Sequence, residues 1–148
     1  MKKYIFTIFS LFLLVGSTAY LNAQTQFWTG TYEDLQKEAK VTEKNYFLMF
    51  HTDWCMPCKK MEAEVFADFE AGKFIERHFI PYMVDGEKGN YTHLVQELFI
   101  TSYPTIVLFN SKGEEIKRIN GYNTKDILLE EFKQHIPGVT QTRFSDFR

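Results

Sequence analysis

The sequence has 148 residues, a formal charge of −2, and 24% charged against 45% hydrophobic residues. That balance excludes a disordered tail protein, a collagen-like repeat and a strongly charged nucleic-acid binder. With 15 Phe, 8 Tyr and 2 Trp, core material is ample for one domain and little more.

Lys2 and Lys3 open the chain with a short positive region. Tyr4 to Val15 is an apolar run softened only by Thr7 and Ser10, and small and polar residues then lead to Leu21-Asn22-Ala23. This layout predicts a secretory signal peptide over residues 1–23, cleaved after Ala23. A membrane-spanning helix needs roughly 20 apolar residues, more than this run offers. Nothing at the cleavage site suggests a lipid anchor. Residues 24–148 are then expected to form a single exported domain, with a polar tail from about residue 138.

Thr31 to Lys40 reads as a helix, with Thr31 as N-cap and Asp34 three residues later. Tyr46 to His51 is an apolar and aromatic run, the pattern of a buried strand. Thr52-Asp53-Trp54 make a turn, and a helical pattern begins at Cys55. From Cys58 the positions Met61, Glu62, Val65, Phe66 and Phe69 recur at helical spacing and predict one face packed on a core. Phe79 to Val84 is a strand whose Pro81 lacks a ladder donor, which places it near an end or on an unpaired side. Asp85 to Asn90 is a polar turn region, and Tyr91 to Phe99 reads as helical. Thr105–Phe109 and Glu115–Ile119, joined by Asn110-Ser111-Lys112-Gly113, predict a hairpin. Thr124 then caps a last helix that runs through Gln134 and stops near Pro137-Gly138. Strands separated by helices imply an α/β architecture with a mixed sheet.

The two cysteines, Cys55 and Cys58, are too few for a disulfide-stapled scaffold. A disulfide across Cys55-Met56-Pro57-Cys58 closes so small a loop that it removes little entropy from the unfolded chain. Such a pair is a poor staple and a good redox device. Zinc usually wants four ligands; the second Cys-x-x-Cys pair is missing, and His51 alone would not complete a site. At the helix's first turn, Cys55 meets free N–H groups and the positive end of the macrodipole, which favour its thiolate. Cys58 lies a turn deeper toward the core. The expected division of labour makes Cys55 the exposed attacking nucleophile and Cys58 the buried thiol that resolves the mixed disulfide.

Strand, then Trp54-Cys55-Met56-Pro57-Cys58-Lys59, then helix resembles the active-site segment of the thioredoxin family. About fifty residues on, Ser102-Tyr103-Pro104-Thr105 and the strand after it resemble that family's cis-proline region. The resemblance covers roughly residues 40–134 and implies a thioredoxin-like fold, a central mixed sheet flanked by helices. Cys58-Lys59-Lys60-Met61-Glu62, Val65-Phe66 and Asp68 look more like exported relatives, including the soluble reducing domain of the membrane thiol:disulfide interchange protein. Thioredoxin carries a buried Asp six residues before its first Cys; here Met49 stands there. Glu62, one turn beyond Cys58, is the candidate replacement as proton acceptor for the resolving thiol. A rim carboxylate reaching solvent or pairing with Lys59 is the competing reading. His51 either tunes the thiolate or simply packs and hydrogen-bonds locally.

The resemblance further implies that Trp54 and Tyr103 form the apolar rim that receives substrate, with the backbone beside cis-Pro104 pairing with it. It implies protein disulfides as substrates, a membrane or periplasmic thiol as electron donor, a monomer, and neither cofactor nor metal. The activity expected is an exported thiol–disulfide oxidoreductase working mainly as a reductase. An oxidase or isomerase of the same chemistry, a copper-delivery protein using the thiolates as ligands, and a binding module with a permanently closed disulfide stand as alternatives.

Overall fold

Central strand β1 (Asn45–His51) sits between one parallel and one antiparallel neighbour, and every residue from Asn45 to Phe50 is buried. The computed structural model describes residues 24–136, so the signal peptide expected over 1–23 and the tail from 138 lie outside the described residues. Among those residues the sheet runs β2 (Phe79–Asp85), β1, β3 (Thr105–Phe109), β4 (Glu115–Asn120). β1 pairs parallel with β2 and antiparallel with β3, and β3–β4 is the expected hairpin. The sheet is mixed and flanked by helices on both faces, as expected.

The two-residue period of β1 divides the core into two layers. Phe47 and Met49 point into one, with Ile106 and Leu108 from β3 and both cysteines. Tyr46, Leu48 and Phe50 point into the other, with Val107 and Phe109. Helix α1 (Tyr32–Thr42) covers this second layer through Leu35 and Ala39. Its start is as the sequence predicts: the Thr31 hydroxyl accepts the Asp34 N–H at 3.1 Å and donates to the Asp34 carboxylate at 2.8 Å. Helix α4 (His93–Glu97) closes the same side, shorter than the expected span of 91–99. Phe99 adopts a left-handed backbone (φ 51°), which ends the helical run before it.

The first layer is covered by α2 (Met56–Met61), a π-helical segment (Glu62–Phe66), α3 (Phe69–His78) and α5 (Lys125–Lys133). Here the sequence reading needs correction. A single helix through Phe69 does not form. The Ala67 N–H donates to the Glu62 carbonyl five residues back at 2.9 Å, a π turn that shifts the register. Asp68 then leaves the helix and caps the next one, accepting the Ala71 N–H at 3.0 Å. Lys125 of α5 donates to the other carboxylate oxygen of Asp68 at 2.9 Å, and this hydrogen bond holds the Asp68 carboxyl below its usual range. Val65 and Phe66 still reach the core, but Phe69, 46% exposed, does not. It starts α3, lies under the Lys73 ammonium (4.6 Å to the ring), and belongs to a helix the periodicity did not reveal. At the last helix, Thr124 occupies the N-cap position but its side chain makes no capping bond.

Pro81 fulfils its expectation in the unpaired-side sense. β2 is an edge strand, and the Pro81 carbonyl accepts the Trp28 N–H at 2.7 Å from outside the sheet. A residue's N and C=O in a strand point to the same side, so the missing donor also faces outward. Residues 24–31 form a strap along this edge: the Thr25 N–H donates to the Phe66 carbonyl at 2.8 Å, and Phe27 stands edge-on to Phe66 at 5.2 Å.

Candidate active site

β1 ends at His51, and Thr52, Asp53 and Trp54 turn the chain into α2. Cys55 is the N-cap of that helix and Pro57 falls in its first turn, where a missing N–H costs least. The two cysteines are joined in a disulfide with their Cα atoms 5.3 Å apart. The Cys55 sulfur accepts the Cys58 N–H at 3.1 Å. In the reduced protein the same N–H is placed to donate to the Cys55 sulfur.

The expected difference in exposure between the two sulfurs is not there. Cys55 is 2% exposed and Cys58 1% exposed in the closed disulfide. The reason is packing: both belong to the buried cluster with Met49, Met61 and Phe66. The exposed residues are their neighbours, Trp54 at 63% and Met56 at 69%. Each buried cysteine stands between exposed residues, Cys55 between Trp54 and Met56 and Cys58 between Pro57 and Lys59. Asymmetry survives in position along the helix rather than in area.

Met49 is fully buried in the cluster that holds both cysteines, so the floor under the disulfide is apolar. Glu62 lies one turn beyond Cys58 with the helical register intact, since its N–H donates to the carbonyls of Cys58 and Lys59. Its side chain is half-buried, and among the described residues its carboxylate pairs with no cation, Lys59 included. His51 contributes its carbonyl, which accepts the Gly86 N–H at 2.8 Å.

The Tyr103–Pro104 peptide is cis. Pro104 is buried, and its carbonyl accepts the Gly121 N–H at 2.8 Å, tying the start of β3 to the end of β4. Tyr103 packs against the cluster containing Cys55 and stands edge-on to Trp54, centroids 6.0 Å apart. The structure therefore brings Trp54, Cys55, Cys58, Tyr103 and Pro104 to one end of the sheet.

Sequence reading places a polar turn at Asp85 to Asn90 but misses its contacts with the active-site segment. Asp85 accepts the N–H groups of Glu87 and Lys88 at 2.9 and 3.1 Å and so folds the loop on itself. Glu87 then accepts the Trp54 indole N–H at 3.0 Å, and Lys88 pairs with Asp53. That pairing holds the Asp53 carboxyl below its ordinary range. Burial, followed by the charges of Glu87 and Asp85, pushes the Tyr103 phenol up. Asp85-Gly86 is a turn signal in sequence, but nothing in it reports contacts with residues more than thirty positions away.

Residues 32–136 match the family model described as the thioredoxin-like domain. The chain belongs to the thioredoxin-like domain family. It has that family's fold together with the Cys-x-x-Cys disulfide of a thiol–disulfide oxidoreductase. Among curated proteins it is similar to the thiol:disulfide interchange protein DsbD of Photorhabdus laumondii, 29% identical over 99 residues, 65% of this chain and 17% of that one. The DsbD of Pasteurella multocida is 33% identical over 79 residues, 51% of this chain and 14% of that one. The chain thus spans less than a fifth of these relatives. Among solved structures, a putative disulphide-isomerase from Bacteroides thetaiotaomicron is 30% identical with TM-score 0.67, covering 78% of this chain and 96% of that one. A thioredoxin from Thermus thermophilus, 20% identical with TM-score 0.67 over 76% of this chain and 87% of that one, shares the thioredoxin-like fold.

Proposed function

We propose that this chain is an exported thiol–disulfide oxidoreductase that works mainly as a reductase of protein disulfides. The observation that carries the reading is the Cys55–Cys58 disulfide at a helix start, flanked by exposed Trp54 and Met56 and packed beside Tyr103. In the reaction the Cys55 thiolate attacks a substrate sulfur, and one substrate thiolate leaves as the mixed disulfide forms. Cys58, losing its proton, then attacks the Cys55 sulfur. The second substrate thiolate leaves and the disulfide closes. Export rests on the layout of residues 1–23, with residues 24–148 as one domain acting as a monomer. The similarity to DsbD supports protein disulfides as substrates and a membrane or periplasmic thiol as the source of electrons. No cofactor enters this scheme.

The reducing direction rests on Met56-Pro57, which offers no histidine to stabilise the Cys55 thiolate. Equilibration with glutathione buffers is expected to give a potential near thioredoxin's, about −270 mV, rather than the strong oxidant's about −120 mV. A value above about −180 mV would overturn the reductase assignment. It would favour the second reading, an oxidase or isomerase of the same chemistry, of which the putative disulphide-isomerase neighbour supports the latter.

Glu62 is the proposed proton acceptor for Cys58, because Met49 leaves the floor of the site without a carboxylate. Glu62→Gln is expected to slow release of reduced substrate near neutral pH about tenfold or more. The initial attack by Cys55 should stay nearly unchanged. Stopped-flow reduction of a protein disulfide separates the two steps, and an unaltered release rate would return Glu62 to a surface role.

A further inference from the structure

Gly86 closes β2 where its N–H meets the His51 carbonyl, directly beneath the Tyr103 ring. A Cβ built on Gly86 would fall 2.2 Å from the Tyr103 hydroxyl oxygen and 2.6 Å from the ring carbon bearing it. Real contacts are never that short, so any side chain at residue 86 must displace the ring. The backbone imposes no such demand. Gly86 is absent from the positive-φ glycines (Gly89, Gly113 and Gly121), and the three atoms nearest to such a Cβ all belong to Tyr103. The ring in turn meets the edge of Trp54, whose indole is anchored by Glu87 of the same loop. Tyr103 is half-buried, and among the described residues its hydroxyl has no hydrogen-bond partner.

We propose that Gly86 is a positioning residue that sets the stance of Tyr103, and through it the preference of the site for extended polypeptide substrates. The inference rests on the oxidoreductase reading above. Absence of a side chain at residue 86 lets the phenol lie flat on the loop, so that Tyr103 and Trp54 meet as one fixed aromatic wall beside the disulfide. A polypeptide docking its cystine at Cys55 buries side chains against that wall. A small disulfide reaches only the sulfur. Pushing the ring off Gly86 should therefore penalise polypeptides selectively.

The experiment measures kcat/KM for the disulfides of insulin and for hydroxyethyl disulfide, and takes their ratio. Wild type, Gly86→Ala, Tyr103→Leu and the double variant are compared. Leucine lacks the three atoms that a Cβ at residue 86 would strike. Gly86→Ala is expected to lower the ratio at least about fivefold, mainly through KM for insulin. The same substitution in the Tyr103→Leu background should change the ratio by less than about twofold. A ratio unmoved by Gly86→Ala, or lowered equally in both backgrounds, would overturn the proposal, the latter because a general structural defect does not need Tyr103. A wild-type protein inert toward both disulfides would overturn the oxidoreductase reading and the inference with it, a pattern distinct from an active wild type with an insensitive ratio.

Discussion

Cys58→Ser is expected to turn the protein from a catalyst into a trap. Attack by Cys55 needs only its own thiolate, which the N-cap position and the Cys58 N–H favour; serine at residue 58 keeps that N–H. The step that fails is resolution. A neighbouring thiol enjoys a very high effective concentration, so replacing it by external thiol at millimolar levels should slow turnover on the order of a thousandfold or more. Mixed disulfides through Cys55 should then accumulate and be visible on non-reducing gels of cells or of purified protein with substrate. In the reduced wild type, Cys55 should also react with iodoacetamide near neutral pH much faster than Cys58. Equal rates, or no trapped species, would remove the assigned roles.

The second large effect is on the fold itself. Phe47 is fully buried at the middle of β1, with Phe132 at 5.0 Å, Phe66 at 6.2 Å and Phe27 at 6.5 Å between ring centroids. Those partners come from α5, the π-helical segment and the strap, so one ring joins three separate pieces of the first core layer. Phe47→Ala should cost about 3–5 kcal/mol, the transfer of a large ring plus the cavity it leaves. That is a large part of the roughly 5–15 kcal/mol that domains usually have. Denaturant unfolding of the oxidised protein measures it, and a loss below about 1.5 kcal/mol would mean that the surrounding rings close the gap.

Much of this architecture is legible in the amino-acid order because it depends on short-range patterns. The apolar run of β1, the Thr31 cap and the hairpin at Asn110–Gly113 are all written within a few residues. The cysteine pair and Tyr103-Pro104 are equally visible, since each is a compact motif. What escaped depends on competition between distant parts. A helical face through Phe69 is a sound reading of periodicity, yet Asp68 serves better as a cap tied to Lys125 than as one more helical residue. The burial of Cys55 comes from Met49 and Phe66 closing on it from a different strand and helical segment, a meeting that local patterns do not report. The loop contacts Glu87–Trp54 and Lys88–Asp53 span 33 and 35 positions and leave no periodic trace.

The two borders of the sheet bear on how such a protein lives among its clients. On the reductase reading proposed above, the protein would meet chains that are partly unfolded, with backbone donors and acceptors free, and an open strand border would template them into aggregates. On β2 the outward position at Pro81 has no N–H to offer, and its carbonyl is already taken by Trp28. On β4 the border carries Glu115, Lys117 and Arg118; Arg118 is paired with Glu115, and Lys117 with Glu131. Charges and a proline at these places act as gatekeepers against intermolecular strand addition. An extended chain therefore finds its backbone pairing discouraged at both flanks, which leaves the disulfide end as the place to engage it.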